Sequence, residues 1–276
     1  QLKIGAENAV GEWNKMEVVS DRGNFVVRLN GKTAIAGQSP KPVEGAIMLQ
    51  SHNGAIRFRN LSVVNFDTWQ DQYIEAARDG ETEKAAHLFG SMLAYEPVAM
   101  DTIRGLWLAT LYSANEDRQA HETLCTKLFA RYGNPANPTE ASRPAKAYVM
   151  MPGVNDLTML NKALESIKFA NENGPKSGSF YLWFRLTRGM AEYRSRNYEE
   201  ALKFLQQPMN GGAPIRSAPA YAYAAMANYK NNDLEKGRQL LKQAEGAYSK
   251  INQNDALWND VLGAKIALDE ARDVVR

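Results

Sequence analysis

Met190-Ala191-Glu192-Tyr193-Arg194-Ser195-Arg196-Asn197 and Met226-Ala227-Asn228-Tyr229-Lys230-Asn231-Asn232-Asp233 are one segment written twice, 36 residues apart. The match extends over Tyr181 to Ala244: Glu199 falls on Glu235, Ala201 on Gly237, Leu205 on Leu241 and Gln207 on Gln243. A period of 20–50 residues is the mark of a stacked helical array. Each unit is a helix pair that cannot bury its apolar face alone, so neighbours must stack. Such an array offers a surface that holds something rather than a pocket that transforms something.

The same texture extends back to Asp67. Helices are expected over about 69–78, 82–95, 101–114, 117–132, 139–150 and 156–173, then through the two matched units, and finally over 255–275. Asp79-Gly80 ends the first helix, with glycine suited to a left-handed C-cap. Ala120 follows Ala85 by 35 residues, as the repeat requires. Met151-Pro152-Gly153 is a helix stop, and Asn173 to Gly178 is a linker rich in turn residues. The last helix carries Trp258, Leu262, Ile266 and Ala267 on one stripe and Asp260, Lys265, Asp269 and Arg272 on the other face. A terminal helix of that kind is expected to cap the stack.

Residues 1–65 have a different texture. Val18, Val19, Phe25 to Leu29 and Ile56 to Val64 are β-branched and aromatic. Phe25, Val27 and Leu29 alternate with Val26, Arg28 and Asn30, the pattern of a half-buried strand. Asn30-Gly31 suits a two-residue hairpin turn. Asp21 to Asn24 and Ser51 to Gly54 are further turn signals, and Ser39-Pro40-Lys41-Pro42 is a loop. The fold class expected is mainly α: a tetratricopeptide-like α-α superhelix over 66–276, preceded by a small, partial antiparallel β-sandwich segment over 1–65.

Two resemblances sharpen this. Gly11-Glu12-Trp13-Asn14, Leu29-Asn30-Gly31, Gly45 to His52 and Arg57-Phe58-Arg59-Asn60-Leu61 resemble the C-terminal signature of the 3-keto-disaccharide hydrolase family, whose fold is a concanavalin-like β-sandwich. The stretch covers the last third or so of such a domain. The resemblance implies action on, or binding of, oxidised or unmodified sugars. Gln50 and His52 stand at the family's Gln-x-His, with His52 the one weak catalytic candidate. Arg57 and Arg59 would fork onto sugar or carboxylate oxygens from one strand face, and Trp13 would stack on a sugar ring. The plainer reading makes His52 a surface-turn residue, the arginines a solvated face and Trp13 core. Separately, Trp69, Gly80, Ala85, Phe89 and Pro97 match the tetratricopeptide ladder. Arg143 to Gly153, Leu186 to Leu205, Ala224 to Ala244 and Asp255 to Val275 resemble the degenerate repeat tails of large multi-domain bacterial proteins.

Bulk properties narrow the rest. The chain has 276 residues, 33 basic and 31 acidic, for a formal charge of +2. The charges are interleaved without the clustered basic face of a nucleic-acid binder. One cysteine, Cys125, excludes an internal disulfide framework and a cysteine-based metal cluster. His52, His87 and His121 lie too far apart for local metal-ligand spacing. Neither cofactor nor metal is implied, and no apolar run approaches a membrane span. The chain begins at Gln1 rather than Met, so processing or a longer parent is expected. No signal peptide is visible. The compartment is open, and an extracytoplasmic one would need a signal peptide on that parent.

The sequence contains no P-loop, Gly-x-Ser-x-Gly, His-Glu-x-x-His or Gly-x-Gly-x-x-Gly motif. Adjacent carboxylates, Glu199-Glu200 and Asp269-Glu270, point in different directions on a helix and read as solvated. Cys125, among Leu124, Leu128 and Phe129, reads as core. A cation recurs late in the first helix of three pairs: Arg78, Arg194 and Lys230. Met190, Tyr193, Met226 and Tyr229 stand beside the last two. Together they suggest a peptide groove, apolar contact plus cations for a carboxylate. In the plainer reading the cations are solvated and the methionines core. The leading expectation is a non-enzymatic interaction scaffold for a protein or peptide partner. The alternative is a glycan-binding or glycoside hydrolase-like protein acting through the β segment.

Overall fold

The computed structural model describes residues 5–21, 24–38, 48–49, 56–63, 66–95, 101–253 and 257–276. The chain divides into two units. The first comprises Gln1–Gln70 and Gly90–Ala99, and the second Asp71–Phe89 and Met100–Arg276. The fold is mainly α, with a small antiparallel sheet near the N-terminus.

In the first unit, β1 (Met16–Asp21), β2 (Asn24–Leu29) and β3 (Lys32–Gln38) form a meander. Val18 pairs with Val27 and Val27 with Ile35, while Val19 pairs with Val26. The expected turn joins β2 to β3, with Asn30 at φ 50° and Gly31 at φ 80°. This is the geometry that Asn-Gly tolerates best. The alternation is as expected, but the buried side is the opposite one. Val19 and Val26 are buried, whereas Met16, Val18, Phe25 and Ile35 are exposed. Their apolar face stays open to solvent. Phe25 covers Gly37 across the strands, its ring 2.7 Å from where a Cβ would stand. A strand expected over 56–64 does not form within 56–63, where Asn60 sits at φ 55° and interrupts extension. The loop expected at 39–42, the turn at 51–54 and Pro97 lie outside the described residues.

The helices come in pairs: α1 (Phe66–Arg78) with α2 (Thr82–Tyr95), α3 (Thr102–Ala114) with α4 (Arg118–Tyr132), α5 (Pro138–Met150) with α6 (Leu157–Asn173), α7 (Gly178–Arg194) with α8 (Tyr198–Asn210), and α9 (Pro214–Lys230) with α10 (Leu234–Tyr248). A final helix, α11, runs Trp258–Val274. The bounds follow the sequence expectation closely because local chemistry sets them. Asp101, Asp117, Asn137, Asp156 and Asp233 each accept a hydrogen bond from the backbone N–H three residues on. Each thereby satisfies one of the orphan donors at a helix start.

The turn inside each pair is itself a repeat. Gly80, Glu116, Arg196 and Asn232 all have positive φ. Each donates its N–H to the carbonyl three residues back, and the next residue donates to the carbonyl five back, as in Arg196 N to Tyr193 O and Asn197 N to Glu192 O. This is the Schellman closure of a helix. The α5–α6 turn departs from it. Its Ccap is Met151 and the next residue is Pro152, which has no N–H to donate. Gly153, at φ 69°, completes that turn. Carbonyls at the end of α5 are therefore left for side chains.

Helices cross closest at small residues. A Cβ on Gly189 would stand 2.5 Å from Leu205 Cγ and 3.3 Å from the Ala201 carbonyl oxygen. In the next pair the small residues are exchanged: Gly237 approaches the Ala225 carbonyl, with 3.1 Å for a Cβ. Gly105 meets Leu128 in the same way, at 2.5 Å. Gly80, assigned to the repeat ladder from sequence, serves the turn instead. Around these crossings Phe89, Leu111, Ile167, Leu205 and Met226 are fully buried. Successive first helices α3, α5, α7 and α9 pack on one another in order. Repeated turns, exchanged small residues and ordered stacking make this a tetratricopeptide-like array.

Candidate functional site

The first helices of the pairs form the inner face of the array, and α11 lies along it. Trp258 of α11 packs edge-on against Tyr73 of α1, with ring centroids 6.3 Å apart, and lies 6.2 Å from the Trp107 ring of α3. Asp260 pairs with Lys146 of α5 at 3.0 Å. Glu270 pairs with Arg194 of α7. The rest of α11 packs on α9 and α10, where Arg272 pairs with Glu245. One helix thus touches the first helix of all five pairs. It packs most heavily on the last pair, as an end cap would, and reaches beyond it to the first helices of the earlier pairs. The burial of α11 matches that reach. Of its residues, Lys265, Arg272 and Asp273 are exposed, and the others are buried or half-buried. A helix enclosed on most sides belongs in a groove.

The Arg194 seat is built from local causes. Val149 lies in the last turn of α5, where Pro152 prevents the usual closure, and its carbonyl accepts Arg194 Nε at 2.9 Å. A cation at a helix C-terminus is favourable for the same reason that the carbonyl is free. Arg194 Nη2 donates to the Tyr223 hydroxyl at 2.9 Å and to Glu270 Oε2 at 2.7 Å, while Nη1 donates to Glu270 Oε1. The carboxylate is gripped by both ends of the guanidinium, the strongest geometry for such a pair. Burial works against the Arg194 charge, but Tyr223 and Glu270 outweigh it, so the group is held protonated. Burial also pushes the Tyr223 phenol upward, keeping it a neutral hydroxyl.

A second anchor lies toward the start of α11. Lys146 Nζ, bound to Asp260, stands 4.1 Å over the Trp183 ring, and Arg216 flanks the same ring at 5.9 Å. Both side chains of the Lys146–Asp260 pair are mostly buried. Beyond α11, the Arg276 carbonyl oxygen accepts from the Tyr229 hydroxyl at 2.9 Å and from Arg238 at 3.1 Å.

The groove residues named from sequence therefore divide. Met190, Met226 and Tyr193 are buried core, and Tyr193 packs edge-on to Tyr223 at 5.5 Å. Arg78 and Lys230 are exposed at helix ends. Arg194 is buried and already holds a carboxylate, and Tyr229 contacts the segment after α11. The expectation of cations lined up for a free peptide is corrected to one buried arginine whose ligand is the chain's own helix. Glu270, read from sequence as solvated, is that ligand. One signal did mark it: Glu270 lies four residues after Ile266, on the apolar stripe itself. Lys146 and Asp260 carried no such mark.

In the first unit the Arg59 guanidinium lies 4.0 Å over the Trp13 ring. Trp13 and Arg59 are exposed, as is Arg57. Three asparagines hold the Trp13 segment. Asn8 Nδ2 donates to the Trp13 carbonyl at 2.8 Å, Asn8 N donates to Asn14 Oδ1 at 2.8 Å, and Asn30 Nδ2 donates to Asn14 Oδ1 at 2.7 Å. Two separated sequence blocks, Gly11 to Asn14 and Leu29 to Gly31, are thereby joined. Gln50 and His52 lie outside the described residues. Arg57 and Arg59 stand on no strand, so a shared strand face does not orient them.

In the second unit His121 is fully buried, with Nε2–H donating to the Ala147 carbonyl at 2.9 Å. Among the described residues its Nδ1 has no partner, so a second proton there would lack an acceptor. Burial lowers its pKa. Cys125, 3.7 Å away, is buried too, and burial pushes its thiol well up. Both are core groups. Among the described residues no three His, Cys, Asp or Glu side chains converge as metal ligands. Among them also, no helix is long and apolar enough to cross a membrane.

Comparison with known proteins adds the following. No curated protein matches the chain. Two crystal structures of the nearly identical TPR-like repeats of a Podosopora anserina kinesin light chain candidate are similar to it. One, of a single-residue variant, has 16% identity and a TM-score of 0.44, and the other 14% and 0.40. Each alignment covers 67% of this chain and 95% of the other. Likeness at that level carries no weight, and the array stands on its own turns and crossings. Residues 2–64, the stretch that carries Trp13, Arg57 and Arg59, match the family model of the 3-keto-alpha-glucoside-1,2-lyase-like domain.

Proposed function

We propose that this chain is a non-enzymatic interaction scaffold whose helical array binds a protein partner. The observation that supports it most is the inner face. Five first helices together form a surface that receives a helix along its length, with apolar contacts and two charge-paired anchors. A surface shaped for a helix suits a protein ligand, because helix-in-groove recognition needs those two elements. Photo-crosslinking side chains placed on first helices, at Phe180 and Tyr181 of α7 and Tyr221 of α9, none of them buried, should capture partner protein. The same groups at Met16 and Val18 should capture far less. Capture confined to the sheet positions would sink the reading.

A second reading is supported by the family match over 2–64 and by the Trp13–Arg59 platform. In it the β unit binds a glycan or acts on a 3-keto-sugar. An exposed aromatic ring with a guanidinium over it is a fair stacking surface for a sugar. The measurement is turnover of a 3-keto-α-glucoside by this chain. Activity that disappears with His52→Ala would replace the scaffold reading with this one.

A further inference from the structure

We propose that α11 is an exchangeable intrachain ligand, and that the Arg194 seat is a carboxylate receptor for a partner helix of the same pattern: amphipathic, alanine-rich on its contact stripe, with two carboxylates ten residues apart. This rests on the scaffold reading and specifies its ligand.

The receptor half of the seat belongs wholly to the array. Val149 O and Tyr223 Oη fix the guanidinium from behind, which leaves its Nη edge aimed into the groove. Those two contacts come from α5 and α9, with Arg194 itself on α7. The anion alone comes from outside the array. A pre-oriented guanidinium in a desolvated seat takes a carboxylate whichever helix delivers it.

Nor does the stack need α11 for continuity. Each pair is closed by its own turn, and α3, α5, α7 and α9 pack on each other directly. What α11 presents to them includes three small side chains, Ala264, Ala267 and Ala271, among larger ones at Trp258, Ile266, Leu268 and Val275. Its charged anchors set register more than strength, because desolvation offsets most of the attraction in a buried pair. A helix whose register is set by two charged anchors is one that a competitor with the same anchors and the same apolar stripe can replace. The competitor's chemistry is written in α11. Asp260 meets Lys146 and Glu270 meets Arg194, and ten helical residues span about 15 Å.

The test uses the whole chain and a labelled synthetic peptide of residues 257–276. Glu270→Lys sets a cation against Arg194 and should release α11. That variant should bind the peptide at least about tenfold more tightly than the unchanged chain does. It should not bind the same peptide carrying Asp260→Lys and Glu270→Lys. Equal binding of both peptides, or of neither, overturns the proposal. So does loss of the array's helical circular dichroism in the Glu270→Lys chain, since exchange requires an array that stands without α11. Hydrogen exchange on the unchanged chain supplies a second arm. Amides of α11 should exchange through an opening that leaves α7 and α9 protected. Exchange of all three helices together overturns the proposal. Partner crosslinks from the array alongside failure here would leave the scaffold reading standing and remove this one.

Discussion

Phe89 and Phe25 are the same side chain in opposite circumstances. Phe89 is fully buried, stacked on Tyr73 at 4.3 Å and close to Trp107 at 6.4 Å. Phe25 is 36% exposed and lies across Gly37 on an open sheet face. Both sit in segments whose pattern calls for burial. The difference is that in the helical unit Tyr73 and Trp107 lie over Phe89, whereas Phe25 shares its side of the sheet with the exposed Val18 and Ile35. Hydrophobic pattern states which side chains want cover, and only packing states whether they receive it.

Truncating the two rings separates the units most strongly. Phe89→Ala should cost about 3–5 kcal/mol, whereas Phe25→Ala should cost no more than about 1 kcal/mol. Chemical denaturation of the two variants measures both. Similar losses would break the contrast. Gly189→Ala comes next. Its methyl would press on Leu205 Cγ, and the cost should be about 1–3 kcal/mol despite the gain in helix propensity. The same change at Gly246, which has nothing within 4 Å of a Cβ, should be neutral or stabilising.

The array should also carry a pH dependence. His121 is neutral in the fold, with its pKa below the ordinary 6.5. The unfolded chain therefore binds more protons between that lowered value and 6.5. Stability from this group is complete above about 6.5 and is lost as pH falls through the lowered value, by at most about 1.4 kcal/mol per pH unit. Melting temperatures at pH 7.5 and pH 5 should show the fall, and His121→Gln should flatten it. An unchanged slope in the variant would assign the dependence elsewhere. The smallest effect is at the turns. Arg196 holds a left-handed conformation that costs a side-chain-bearing residue about 1–2 kcal/mol. Arg196→Gly should stabilise by about 0.5–1 kcal/mol, less than the full relief because glycine gains freedom on unfolding. Gly80→Ala, the reverse change at the equivalent turn, should destabilise.

Where sequence reasoning succeeded, the causes were local. Helix bounds, the Asn30-Gly31 turn, the Gly80 cap and the break at Pro152 depend on residues within a turn of each other. The candidate site fared differently. Arg194 was legible as a cation at a repeated position, because the 36-residue offset aligns it with Lys230. Its fate was not, because a cation late in a helix fits equally well as a solvated end or as a buried anchor. Strand 56–64 failed for a related reason. A β-rich composition needs a neighbouring strand to pair with, and residues 56–63 pair with none of the three.

The sequence by itself determined that the chain is a β segment followed by paired helices of about 36 residues, with their starts and stops in place. These follow from backbone propensity, capping and periodicity, which act over a few residues. Only the tertiary structure decided that α11 lies along the inner face and that Glu270 meets Arg194 across 76 residues of chain. The physical reason is that a charge is indifferent to sequence distance. Its partner is whichever group the packing of other elements brings within hydrogen-bond reach once water has been removed.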